Sequence, residues 1–312
     1  MSDSRSDFGS VLTDDRWAEL LELRATQPAL IAARAAERRR RPLLGVDGRL
    51  FLLAADHTAR GMTGIAGAPF VMADRRDQLE RLLIGLADPR VDGLLGSPDI
   101  LEELLLLGEL NDKVVIGTMN RGGLQGAVWE LDDPFTAYSP AVIAEANLDG
   151  GKMLLRLDHN DPGTLPTLEA SADAVSGLAS RGLLAMIEPL PYTKNPDGRA
   201  VLLDDDDALV RAVGVANSLG ATSAHTWLKV PSTDQVERVM AATTLPTLIL
   251  GGAPGPDPET AFASWERALR IPQVRGLTVG RTLLYPTGGD VAAAVAAAGA
   301  VVHPEIPSLS EN

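Results

Sequence analysis

Only four lysines occur in the chain, Lys113, Lys152, Lys194 and Lys229, against 24 arginines, so its solvated cationic surface is built from arginine. A lysine inside an apolar run therefore needs its own explanation. Lys229 lies late in HTWLKVP, where alternation sets Trp227 and Lys229 on one face and Leu228 and Val230 on the other. Burial lowers the pKa of an ammonium there, and an amine near neutrality is a good nucleophile for a carbonyl. The alternative is a structural lysine paired with Asp56 or Glu188. Those carboxylates end the runs RLFLLAAD and LLAMIEP, and either could shuttle the protons that Schiff-base chemistry requires, as could Tyr192. Lys152 opens KMLLRLD. It either sits at the far end of its strand or points inward, to bind phosphate or polarise a carbonyl. Lys113 follows a turn and reads as structural.

Two glycine-bearing segments suit an anion. LILGGAPG carries Gly251 and Gly252, and TVGRTLL carries Gly280 and Arg281. Glycines at adjacent strand ends let backbone N–H groups approach a phosphate, and Arg281 can add a bidentate contact. A metal centre has less support. His57, His159 and His225 belong to different strands, and neither H-x-H nor H-E-x-x-H occurs. The acidic run Asp204–Asp207 reads as a helix cap, and ERRRRP as the solvated end of a helix. The metal site and the cofactor are both expected to be none.

These residues need a scaffold. Apolar runs of strand length recur at 49–56, 91–97, 113–119, 152–158, 183–189, 225–231, 245–252 and 274–281. Helical stretches alternate with them at 74–86, 99–110, 140–146, 167–181, 205–219, 233–242, 257–269 and 290–298, many opening on Asp, Thr or Pro. Eight strand–helix units predict a (β/α)8 barrel over residues 49–300, with a helical extension over 1–48 and a tail over 301–312. A doubly wound sheet is the rival, but no G-x-G-x-x-G follows the first strand. In a barrel, the strand ends that carry Asp56, His57, Asn120, Arg121, Asp158, Glu188 and Lys229 all belong to the active-site face. The extension reads as one helix from Asp14 to Arg41, closed by Pro42.

Composition narrows the class. Hydrophobic residues make up 45% and charged residues 22%, enough for a core. The absence of cysteine removes disulfides, thiolate metal sites and thiol nucleophiles. A formal charge of −14 argues against nucleic acid or anionic membrane as a partner. The acidic N-terminus lacks a signal-peptide core and no apolar run reaches the roughly 20 residues of a membrane span, so a cytoplasmic protein is expected. The apolar flanks of the N-terminal helix suggest a homo-oligomer contact.

The ordered set of motifs resembles the class I aldolase superfamily of tagatose-bisphosphate and deoxyribose-phosphate aldolases. The likeness is greatest to the tagatose-bisphosphate branch and its archaeal-type fructose-bisphosphate relatives. The resemblance spans about residues 49–285. It implies that Lys229 in TWLKVP forms the Schiff base and that Lys152 in GGKMLLRLDHND lines the site. It further implies that Glu188 in MIEPLPY is the acid/base and that Asp56 in AADH is the strand-1 aspartate. ILGGAPG and TVGRTLL resemble the family's phosphate loops. The implied substrate is a phosphorylated ketose or deoxyketo-sugar acid, and no cofactor is implied. The chain is also similar to an actinobacterial group of barrel proteins associated with sugar or inositol catabolism. Deoxyribose-phosphate aldolases carry a second lysine on strand 7, whereas LPTLILGG has none. The N-terminal 49 residues have no counterpart in the family, and the loop MNRGGLQGAVWELDD is unusual for it and a candidate to shape substrate choice. Rival readings on the same barrel are a metal-dependent lyase or isomerase, another Schiff-base reaction, and a noncatalytic sugar-phosphate binding protein.

Overall fold

The computed structural model describes residues 11–252 and 258–305. Eight parallel strands close into a barrel: β1 (Leu50–Ala55), β2 (Gly93–Gly96), β3 (Val114–Thr118), β4 (Gly150–Leu157), β5 (Leu184–Lys194), β7 (Thr226–Pro231), β8 (Thr247–Leu250) and β9 (Val274–Val279). Their order is β4-β3-β2-β1-β9-β8-β7-β5, and the pairing of β4 with β5 completes the ring. The short β6 (Ala200–Leu202) stands outside it, antiparallel to the end of β5. The helices between strands are α3 (Arg75–Ala87), α4 (Pro98–Leu106), α5 (Pro140–Glu145), α6 (Thr164–Ala179), α7 (Asp206–Asn217), α8 (Val236–Met240) and α9 (Pro258–Ala268). The short α10 (Arg281–Leu284) and α11 (Val291–Val302) follow β9.

Strand periodicity sorts the side chains into two cores. Leu50, Leu52 and Ala54 face the barrel interior with Leu95, Val114, Ile116, Met186, Trp227 and Leu248. The intervening residues, Phe51, Leu53 and Ala55 among them, pack outward against the helices. Interior-facing positions one pleat further up are Asp56 on β1, Glu188 on β5 and Lys229 on β7. The same parity along β4 gives Lys152 and Arg156. The polar site is thus the top layer of an otherwise apolar barrel.

The extension departs from the expected single helix. It forms α1 (Asp14–Thr26) and α2 (Ala29–Glu37), because Pro28 forces Gln27 out of the helical region, to φ −132° and ψ 54°. The basic run after α2 is not a solvated helix end. Arg38 reaches Asp149 at 3.0 Å, Arg40 reaches the same carboxylate at 2.6 Å, Arg39 binds Asp112 and Arg41 binds Asp92. Each aspartate immediately precedes, or lies within two residues of, the start of β2, β3 or β4. The run therefore clamps three neighbouring strands from beneath, while Leu43 and Leu44 pack under the interior core. Asp92 also accepts from His303 Nε2 at 2.9 Å, joining the end of α11 to the same rim. The acidic run caps α7 as read: Asp205 accepts from the backbone of Asp207 and Ala208. Among the described residues, no helix is long and apolar enough to cross a membrane.

Candidate active site

At the C-terminal end of the strands, four buried ionisable side chains form one chain of contacts. Lys229 Nζ lies 3.0 Å from Glu188 Oε1. Lys152 Nζ contacts the other carboxylate oxygen of Glu188 and lies 3.4 Å from Asp56 Oδ2. Asp56 Oδ2 also accepts from Thr118 Oγ1 at 3.1 Å and pairs with Arg121 at 3.3 Å. Relative exposures of 2–7% leave all four buried.

Strand limits decide where Lys152 points. The sequence left it at the opening of its strand, but β4 begins at Gly150, and Lys152 pairs in register with Thr118 and Met186. It faces inward, with its ammonium among the top-layer carboxylates. β5 likewise outlasts its expected end at Glu188. It runs on to Lys194, carrying Tyr192 beyond the ring, and bends back to pair with β6. Asn120 has a structural part: its side-chain amide donates to Leu154 O at 2.6 Å and accepts from Leu154 N at 2.7 Å, continuing the β3–β4 ladder.

Electrostatics follow from burial and pairing. Burial pushes Lys152 down to about 8, although Asp56 and Glu188 oppose it. Burial would raise Glu188, yet the ammonium groups of Lys152 and Lys229 outweigh it and bring the carboxyl to about 2. Asp56 is held well below the usual carboxylate range, since Lys152 and Arg121 together overcome its burial. His57 is pushed down to about 3 by burial, so it is a neutral imidazole at the edge of the site.

Above this layer lies the loop between β3 and α5. Its Glu130 and Asp133 bind Arg156 at 2.8 and 3.1 Å, a guanidinium 1% exposed. That guanidinium also lies 5.8 Å from the ring centre of Tyr192. Arg156 and Arg60 escaped the sequence reading. Arg156 shares the parity of Lys152, and alternation points to it once β4 is known to begin at Gly150. Arg60 lies in a single turn of 3₁₀ helix after β1 and gives no pattern.

The glycine-bearing ends lie on the adjacent strands β8 and β9. Gly252 has φ +67°, a left-handed conformation that favours glycine. Gly280 allows β9 to approach β1: a Cβ there would stand 2.4 Å from Ala54 O and 2.7 Å from His57 Cε1. Arg281 is half-buried beside them, with its Nε unbonded. The remainder of the first glycine segment, 253–257, lies outside the described residues. The histidines do not assemble: His159 and His225 are exposed, and among the described residues no three His, Asp or Glu side chains gather as a metal-binding set.

A closed (β/α)8 barrel with a lysine–glutamate–lysine–aspartate chain at its strand ends defines the class of protein. Within it, the chain belongs to the Cgl0159-like family, whose profile matches residues 48–299. The crystal structure of Cgl0159 from Corynebacterium glutamicum is 47% identical, with a TM-score of 0.93 over 95% of this chain and 100% of that one. An archaeal fructose 1,6-bisphosphate aldolase superposes with a TM-score of 0.62 at 15% identity, covering 87% of this chain and 98% of its own. Fructose-bisphosphate aldolase from Slackia heliotrinireducens gives 0.62 at 17% identity, over 98% and 92%. These two distant likenesses speak to the barrel fold. A comparison with curated proteins finds no match.

Proposed function

We propose that the chain is a class I aldolase that cleaves a phosphorylated ketose or deoxyketo-sugar acid, in carbohydrate or inositol catabolism, without a cofactor. One observation carries the reading: Lys229 and Lys152 share a single buried carboxylate, Glu188, in the top layer of the barrel. Lys152 also draws on Asp56, but Arg121 shares that carboxylate, so three cations face two carboxylates and one positive charge is unmatched, which favours release of a proton from one amine.

Neutral Lys229 attacks the substrate carbonyl, whose oxygen takes up a proton to give a carbinolamine. Loss of water from that adduct gives an iminium. A base then takes the proton of the hydroxyl on the bond to be cleaved. The C–C electron pair moves into the iminium, the aldehyde departs, and an enamine remains. Protonation and hydrolysis return Lys229.

Glu188 suits the proton transfers. It is a weak base at rest because two cations face it, and its basicity rises once Lys229 has lost its charge. Lys152 stays as the second cation, steadying Glu188 and the carbonyl oxygen, while Asp56, itself paired with Arg121, holds Lys152. Gly251, Gly252, Gly280 and Arg281 bind the phosphate. Support for that assignment comes from the bare Arg281 Nε.

Borohydride reduction in the presence of phosphorylated ketoses, dihydroxyacetone phosphate and deoxyketo-sugar phosphates, read by peptide mass, tests this. A reduced adduct on Lys229 is expected, and the compound that traps names the substrate class. An adduct on Lys152, whose pKa already lies near 8, would transfer the nucleophile to β4. No adduct with any compound, beside activity that needs a divalent metal, would replace the proposal with the metal-dependent reading.

A further inference from the structure

The mouth of the barrel holds three guanidinium groups, Arg156 over the ring of Tyr192 and Arg60 and Arg281 within electrostatic reach of it, and too few carboxylates to satisfy them. Arg156 consumes Glu130 and Asp133. Arg60 is only 7% exposed, yet its Nη1 makes no hydrogen bond. Its nearest carboxylate oxygen, Glu130 Oε1, is 3.8 Å away and already bonded to Arg156 at 2.8 Å. Arg281 has a bare Nε and, among the described residues, no carboxylate within ion-pair distance. The Arg156 Nε is bare as well. Besides burial, the Arg60 charge is the main influence lowering both Arg156 and Arg281, so it stands within electrostatic reach of each.

Buried donors without partners are costly and rare. Three neighbouring guanidiniums with unspent N–H groups compound that cost through like-charge repulsion. An oxyanion relieves both at once, because its oxygens accept the forked N–H groups and its charge offsets the repulsion. We propose that Arg60, with Arg156 and Arg281 as its neighbouring cations, is the centre of an oxyanion subsite that receives a phosphate or carboxylate group of the ligand. Tyr192 walls the subsite. Calling that group part of a substrate rests on the aldolase reading; the binding itself does not.

Titration of the intact protein with inorganic phosphate, and separately with acetate, followed by calorimetry, tests the subsite. Saturable binding of at least one probe is expected, and Arg60→Gln should weaken it at least about tenfold. The tighter probe identifies the group as phosphoryl or carboxylate. If Arg60→Gln fails to fold, Arg60→Lys keeps the charge and removes the fork, and weaker binding is again expected. Arg60 variants that lower the melting temperature but leave the probe affinities unchanged would make the residue structural and overturn the proposal. Absence of saturable binding to the unaltered protein would overturn it too. Failure of Lys229 to trap a substrate leaves these binding constants untouched, so the two proposals fail separately.

Discussion

In the proposed reaction the two lysines paired on one glutamate meet opposite demands, because one amine must lose its proton while the other keeps it. With Lys152 near 8, the protonated form that steadies Glu188 is lost as pH rises through that value. An alkaline limb in kcat/KM centred near pH 8 is expected. Lys152→Arg, which stays charged, should move the limb beyond pH 10. A limb that stays at 8 in that variant would assign the titration to another group. On the same proposal Glu188→Gln removes the proton carrier and the counter-charge together, and kcat should fall by about 100-fold or more; near-normal kcat would remove Glu188 from the proton transfers. At this scale the sequence was informative where side chains obey strand parity. Lys229, Glu188 and Asp56 each follow interior apolar residues by two positions, so their convergence was legible. The arginines were not, since Arg60 sits in an irregular turn and Arg156 declares itself only once the start of β4 is known.

Among the elements, the clamp under β2, β3 and β4 makes the clearest demand. Arg38→Ala strips a 1% exposed guanidinium from a 6% exposed Asp149. It should cost about 3 kcal/mol, the low end for breaking a buried pair, because Arg40 still reaches that carboxylate. Arg40→Ala, at a site 45% exposed, should cost about 1 kcal/mol or less. Equal losses of denaturation midpoint in the two variants would remove the distinction. Gly280→Ala forces a methyl group against Ala54 O and His57, so the end of β1 must shift. A raised KM for the trapped compound is the expected sign, and unchanged kinetics would show that the strands tolerate the displacement. Eight strand–helix units could be read from apolar runs and helix caps. The break at Pro28, the arm beyond Glu188 and the clamp could not. They depend on a proline overriding helix periodicity, on a hairpin pairing outside the ring, and on which aspartates meet which arginines in space.

For the molecule as a whole, His303 joins the last helix to the rim. Burial would lower its pKa, but hydrogen bonds to Asp92 and Asp47 raise it above the ordinary histidine value. A raised folded-state pKa gives stability that is fully present below the unfolded value of about 6.5 and is lost as pH climbs through the folded value. The melting temperature should therefore decline as pH passes upward from 6.5, and His303→Gln should flatten that slope. An unchanged slope in the variant would place its origin elsewhere. The chain carries −14 overall, yet its mouth joins Lys152, Lys229, Arg60, Arg121 and Arg156 to four carboxylates, with Arg281 beside them. Composition reported the bulk charge and was silent on this local inversion, because net charge does not record position. The arginine run that closes the barrel floor also bears on the order of synthesis. Its three aspartates all precede β5, so the run finds every one of them before β5 is made. The first half of the barrel can thus be fastened as a unit while the second half is still being translated, leaving β4 and β1 as the open edges on which the later strands are received.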